Sequence, residues 1–250
     1  MTILSGQQLV KTFGEGTEKQ TVLDGVSLAV KEGEFVAVMG PSGSGKSTLL
    51  FALSGIESVD RGTVIFDEMV LSGLKDDELA EIRRTEMGFV FQQPALLRNL
   101  NLLDNIILPA LRSNKRNKAE IVARAKLLMD QTGIGGLEKR DVTQVSGGQL
   151  QRAGICRALL GNPKIIFGDE PTGALNSQSA QDILNLLSDI NAEGTAVLLV
   201  THDAAVAARS ERVVFMRDGG IVSELRLPRS QGPDPARVSL ITARLQELGI

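Results

Sequence analysis

The passage from Phe35 to Leu53 constrains the fold of this chain more than any other feature. Phe35-Val36-Ala37-Val38-Met39 is continuously apolar, the pattern of a strand buried on both faces of a sheet. It runs straight into Gly40-Pro41-Ser42-Gly43-Ser44-Gly45-Lys46-Ser47-Thr48, and Lys46 to Leu53 reads on as a helix. Glycines let consecutive backbone N–H groups converge on one point, and a helix N-terminus adds a dipole that favours negative charge there. The passage therefore predicts a cradle for phosphate groups. Lys46 bridges the β- and γ-phosphates and the Ser47 hydroxyl ligates Mg²⁺. Buried strand, loop and helix in this order call for an α/β core with a mostly parallel sheet.

The flanking sequence fits that core. Gln8–Phe13 and Val26–Val30 read as short strands before a turn at Lys31-Glu32-Gly33-Glu34. From about Asp76 to Gly161 the chain has helical character. Ile121, Val122, Ala125, Leu128 and Met129 share one face of a helix over Ala119–Thr132, which Gly133 stops. The expectation is a helical subdomain, about residues 94–145, inserted into a 1–230 domain. Lys164–Asp169 is a second buried strand, Ser179–Asn191 a helix closed by Gly194, and Ala196–Val200 a third strand. That is a βαβ unit with a right-handed crossover. Arg212–Met216 and Ile221–Leu225 form a hairpin turning at Asp218-Gly219-Gly220. Pro228, Pro233 and Pro235 mark a linker. Residues 231–250 then end in an amphipathic helix carrying Val238, Ile241, Leu245 and Leu248, expected to pack back on its own domain.

Composition narrows the function classes. At 250 residues with 42% apolar content the chain can bury a large core. A net charge of −3 lacks the basic footprint of nucleic-acid binding. One cysteine, Cys156, excludes both a disulfide framework and a cysteine zinc cluster, and its small apolar neighbours point to a buried thiol. No apolar run reaches the 18 or so residues of a membrane span, and Met1–Gln7 lacks the features of a signal peptide. The expectation is a cytoplasmic chain whose contact with a membrane is indirect. Arg112, Lys115, Arg116 and Lys118 form a basic run, read either as a solvated face or as a contact for acidic lipid or a membrane subunit.

Further chemistry follows the second strand. Asp169 ends it, where its carboxylate can hold Mg²⁺, and Glu170 can position or deprotonate an attacking water. A carboxylate pair before Pro171 is also what a helix cap looks like. His202, the only histidine, follows Val200 at the same sheet edge, where it can donate to a γ-phosphate.

Together with Val145-Ser146-Gly147-Gly148-Gln149, these motifs resemble those of ATP-binding-cassette (ABC) ATPases over nearly the whole chain, about residues 9–219. The resemblance implies that Ser146, Gly147, Gly148 and Gln149 cap the γ-phosphate of ATP held by a second copy, in a head-to-tail homodimer. It implies a P-loop NTPase core with an N-terminal antiparallel β-subdomain and places Phe13 under adenine, where relatives more often have tyrosine. It gives Gln92, in Gly88-Phe89-Val90-Phe91-Gln92, contact with Mg²⁺ or the attacking water, and makes Gly173-Ala174-Leu175-Asn176 an interface loop. The implied catalytic set is Glu170, His202, Gln92 and Lys46, with Ser47, Gln92 and Asp169 around Mg²⁺. Three positions depart from the common pattern: Val145 for leucine, Asn176 for aspartate and Val142 for proline. The Asp169–Leu175 segment, with Ala95-Leu96-Leu97, is similar to the branch serving lipoprotein release, macrolide and antimicrobial-peptide efflux or resistance, and cell division. The implied partner is an integral membrane permease, with the cassette peripheral on the inner face of the membrane. Soluble ABC ATPases of DNA repair or translation are the alternative; their coiled-coil insertions, zinc cysteines or paired cassettes are absent here.

Overall fold

The computed structural model describes residues 1–14, 16–112, 117–228 and 234–250. Pro233, Lys115 and Arg116, and with them the middle of the basic run, lie outside the described residues. The strands are β1 (Thr2–Phe13), β2 (Gln20–Lys31), β3 (Phe35–Met39), β4 (Arg61–Phe66), β5 (Met69–Val70), β6 (Met87–Phe91), β7 (Ile165–Asp169), β8 (Ala196–Val200), β9 (Arg212–Arg217) and β10 (Gly220–Arg226). The helices are α1 (Lys46–Leu53), α2 (Asp76–Glu86), α3 (Leu102–Ile107), α4 (Lys118–Gln131), α5 (Gly147–Leu159), α6 (Ser177–Ala192), α7 (Ala204–Ala207) and α8 (Pro235–Leu248).

Two sheets result. The first is antiparallel, in the order β2-β1-β4-β5. The second runs β10-β9-β3-β8-β7-β6; all its pairings are parallel except β9 with β10. Parallel strands buried on both faces carry no polar alternation, and every residue of β3 and β8 is buried. The parallel register puts the carboxyl ends of β3, β8, β7 and β6 side by side, and the loops that follow them meet along one edge.

The core fills four regions around these sheets. Leu4, Leu23, Val38, Leu53, Phe167 and Leu198 pack between the two sheets and α1. Ile166, Val197, Ile183 and Leu187 pack the opposite face under α6. A third cluster joins α3, α4 and α5 through Ile106, Ala125, Met129, Ala153 and Cys156. The helical layer thus continues past Val145 into α5, a helix that also lies along β6. The fourth cluster docks α8 on β9 and α7: Ile241 is fully buried against residues including Val213 and Phe215. Burial of one isoleucine contributes about 2 kcal/mol. Arg237, also buried, donates from Nη1 to Pro228 O (2.8 Å) and from Nη2 to Ser210 O.

Several elements differ from the reading of the sequence. β1 starts at Thr2 and runs on through bulges to Phe13. β4 and β5 had no counterpart, and Met87–Phe91, inside the block of helical character, is the strand β6. The β9–β10 hairpin turns at Asp218-Gly219, both at positive φ (48° and 78°), as a two-residue primed turn requires.

Cys156 is fully buried, with Sγ 3.0 Å from Thr132 Oγ1, and burial pushes its thiol up to about 11. At pH 8 about one thiol in a thousand is then ionised, and the thiolate is the nucleophile. Ellman's reagent should leave the native protein unmodified and titrate one thiol after denaturation. Rapid labelling of the folded chain would contradict this burial.

Candidate nucleotide site

The loop between β3 and α1 folds as it does because two positions admit no side chain. A Cβ on Gly40 would strike Met216 O and Ser44 Oγ. Gly45, at φ +96°, would bring one to 2.6 Å from Val22 O. Gly45 occupies the N-cap of α1, and no side chain caps that helix. By contrast, Asn101, Asn117, Ser146, Asn176, Asp203 and Asp234 accept a backbone N–H at the starts of α3, α4, α5, α6, α7 and α8. The first amides of α1 are therefore left to an external acceptor, as at phosphate-binding helix N-termini.

The loop lines a cleft of about 520 Å³ with Gln20, Val22, Gly40, Ser42, Gly43, Gly45, Lys46, Ser47, Thr48, Glu170, Val200 and His202. Pro41, exposed, and Ser44, buried, are not among these lining residues. Lys46 Nζ donates back to Pro41 O at 2.7 Å, and Ser44 Oγ is buried with no hydrogen-bond partner among the described residues. Burial holds the Lys46 ammonium below its usual range; the nearby Glu170 and Asp169 carboxylates pull it back up.

The parallel register assembles the rest. Asp169 is the last residue of β7, opposite Val200 of β8 and Phe91 of β6. The Ser47 hydroxyl donates to Asp169 Oδ1 at 2.9 Å, so a hydroxyl and a carboxylate converge beside the loop. That donor pair fits Mg²⁺, which takes oxygen ligands and keeps several waters. Glu170 adopts φ +49°, an uncommon region for a residue with a side chain. Its N–H is bonded to Val200 O (3.0 Å), and its Oε1 accepts from His202 Nδ1 at 2.7 Å. Thr201 Oγ1 lies 3.5 Å from Glu170 Oε2. The His202 ring is exposed and lines the cleft. Backbone strain held by hydrogen bonds on both sides is what functional positions often display.

Other predicted residues sit apart from the cleft. Gln92 follows β6 at the same edge, and its amide rests against Gly173, where a Cβ would come 2.9 Å from Nε2. Phe13 ends β1, 42% exposed, and pairs with Gln20, which does line the cleft. Ser146 is the exposed N-cap of α5, in a reciprocal box with Gln149: Ser146 N to Gln149 Oε1 2.8 Å, Gln149 N to Ser146 Oγ 3.3 Å. Gly147 and Gly148 lie against Leu175 and Ser179 at the start of α6. None of Ser146–Gln149 lines the cleft of its own chain.

The three departures have local explanations. Asn176 caps α6, its Oδ1 accepting from Ser179 N at 2.9 Å, a role asparagine fills as well as aspartate. Val145 and Val142 pack into the helical cluster. The sequence reading had missed Gln20 and Val22, because only the antiparallel sheet brings β2 beside Gly45.

A glycine cradle at an uncapped helix, a lysine reaching over it and a strand-end carboxylate on the neighbouring serine define a P-loop nucleotide-binding protein. Comparison with known proteins narrows this class. Residues 23–173 match the family described as ABC transporter. The macrolide export ATP-binding/permease protein MacB of Pasteurella multocida is 40% identical over 218 residues, 87% of this chain and 33% of the relative. The chain thus spans about a third of that protein's length. The bacitracin export ATP-binding protein BceA of Halalkalibacterium halodurans is 40% identical over 226 residues, 90% of this chain and 89% of that one. Among solved structures, the dimeric post-hydrolysis state of the ATP-binding cassette MJ0796 bound to ADP and Pi superposes with a TM-score of 0.84. It is 38% identical and covers 91% of this chain and 100% of its own. The chain belongs to the ABC transporter family, and its fold is that of the ABC ATPase cassette.

Proposed function

We propose that this chain is the ATP-hydrolysing, energy-coupling subunit of an ABC membrane complex of the efflux or resistance type, acting on antimicrobial peptides or macrolides or in lipoprotein release. The observation that carries the reading is the separation of the two phosphate-binding ends. The loop of α1 lines the cleft, whereas Ser146–Gln149, on an exposed helix N-terminus, do not reach it in the same chain. A second copy related by twofold symmetry completes both sites at once, with ATP between one copy's Lys46 and the other's Ser146.

In this reading Gly40–Thr48 bind the phosphates through backbone amides and Lys46. Ser47, Asp169 and Gln92 would hold Mg²⁺, whose chemistry there is neutralisation of phosphate charge. Glu170 accepts the proton of the attacking water, and His202 in its doubly protonated form, oriented by Glu170 through Nδ1, donates from Nε2 to the γ-phosphate. Phe13 stacks on the base. Loss of the γ-phosphate removes contacts that only the closed dimer makes, and opening of the dimer is the work step.

Residues 1–230 form the cassette, residues 94–145 its inserted helical part, and 231–250 the linker and docked helix. For the membrane subunit this reading assigns the groove of about 760 Å³ between α2 and the end of α3, lined by residues including Ala80, Glu81, Arg84, Leu108, Pro109 and Leu111. Leu108 and Leu111 are exposed there. Among the described residues no helix is long and apolar enough to cross a membrane; the cassette is held at the inner face of the membrane through this groove. The test is affinity purification of a tagged Glu170→Gln variant with ATP from detergent-solubilised membranes. An integral membrane protein should accompany it. Recovery of a homodimer alone would overturn the coupling role.

A further inference from the structure

Phe13 is an exposed ring at a strand end, and such a ring ordinarily samples several rotamers. Here it is held from one side. Lys11, two residues earlier and so on the same face of β1, places Nζ 5.1 Å from the ring centroid. That ammonium is itself fixed: it donates to Ser58 O at 2.7 Å and pairs with Glu57 Oε1 at 2.5 Å. The lysine is only 7% exposed, unusual for its type. Two further hydrogen bonds bind the same segments together, Thr12 N to the Asp60 carboxylate Oδ2 (2.7 Å) and Asp60 N to Val10 O (2.8 Å). Glu57, Ser58 and Asp60 lie in the loop that leaves α1. The end of β1 is therefore tied to the element whose other end is the phosphate cradle.

We propose that Lys11 is the positioning residue for nucleobase recognition: its ammonium, anchored by Glu57 and Ser58, orients the Phe13 ring so that a purine stacks on the remaining face. The proposal rests on the reading of Phe13 as the base platform. A cation over one face draws on the ring quadrupole and sets its orientation before ligand arrives. Pre-ordering of that kind removes a cost that binding would otherwise carry. The same tie holds the platform at a constant reach from the phosphate loop, so base and triphosphate are engaged together.

The alternative is a plain staple between β1 and the loop after α1, which would affect stability without discriminating between ligands. Titration calorimetry separates the two, with MgATP and magnesium tripolyphosphate as probes; the chain has no tryptophan or tyrosine to report binding by fluorescence. Lys11→Met should weaken MgATP about threefold to fivefold, the range expected of an exposed cation–π contact, and leave tripolyphosphate affinity unchanged. Lys11→Arg should restore MgATP binding. In a Phe13→Ala background Lys11→Met should add no further loss. Equal weakening of both ligands, or a loss that persists without Phe13, overturns the proposal. If Phe13→Ala alone leaves MgATP affinity intact, the base-platform reading fails first and the proposal with it. Should Lys11→Met not fold, Glu57→Gln serves in its place: a loss confined to MgATP supports the role, and a loss shared by tripolyphosphate overturns it.

Discussion

Glu170→Gln should lower ATP turnover by about 100-fold or more while leaving ATP affinity near that of the unaltered chain, because a positioned general base contributes on the order of 10²–10⁴ in rate. The substitution is informative because so little else changes. Glutamine has the same length, and its Oε1 can still accept from His202 Nδ1, now 2.7 Å from the carboxylate. The backbone at φ +49° is held by the Glu170 N–H to Val200 O bond, which glutamine keeps. What is lost is the capacity to take a proton. Neither the glycine cradle nor Lys46 is touched, so binding persists and ATP accumulates uncleaved in a closed dimer. Phosphate release, calorimetry and size exclusion with and without ATP check the three parts. Normal hydrolysis by the variant would remove Glu170 from the catalytic set.

How legible this site was depends on which force positions each residue. The phosphate loop could be read because its glycine spacing after a buried strand is itself distinctive, although what excludes a Cβ at Gly40 and Gly45 comes largely from Met216 and Val22, distant in sequence. Asp169 and His202 could be placed because buried parallel strands end abruptly, and the ends of β7 and β8 are adjacent by register. The strand β6 was obscured for the converse reason. Met87–Phe91 is a short apolar run inside a helix-rich stretch, and periodicity cannot separate a fully buried strand from a helix segment over five residues. The early part of β1 was hidden by bulges and by Gln8 at φ +50°, which break the alternation that marks a strand. The tie between Lys11 and Phe13 lay in plain spacing, yet its meaning needed Glu57 and Ser58, which arrive through the tertiary fold. The role of Ser146 is of a third kind. Nothing in composition or periodicity says that an exposed helix N-terminus faces another molecule; that expectation came through resemblance alone.

Ser146→Arg should abolish ATP-driven dimerisation and reduce turnover to background while the isolated chain still binds ATP. Ser146 caps α5, and loss of such a cap costs about 1 kcal/mol, small beside the roughly 5–15 kcal/mol that holds a domain folded. The chain therefore stays folded, with a thermal midpoint only a few degrees lower. Its own cleft is unaffected, because Ser146 is not among the residues that line it. In the proposed dimer the arginine would project from this exposed position into the space of the partner's nucleotide, where its bulk would prevent closure whatever the charge. The decisive arrangement combines the two substitutions. Glu170→Gln alone should elute as a dimer with ATP, and Glu170→Gln with Ser146→Arg should elute as a monomer that has bound the same nucleotide with similar affinity. A double variant that still dimerised, or Ser146→Arg with undiminished turnover, would place the ATPase site within one chain and dissolve the argument for a shared one. If dimerisation alone is lost, nucleotide bridges the two copies, and the exposed end of α5 is half of a binding site whose other half is the loop at Gly40–Thr48.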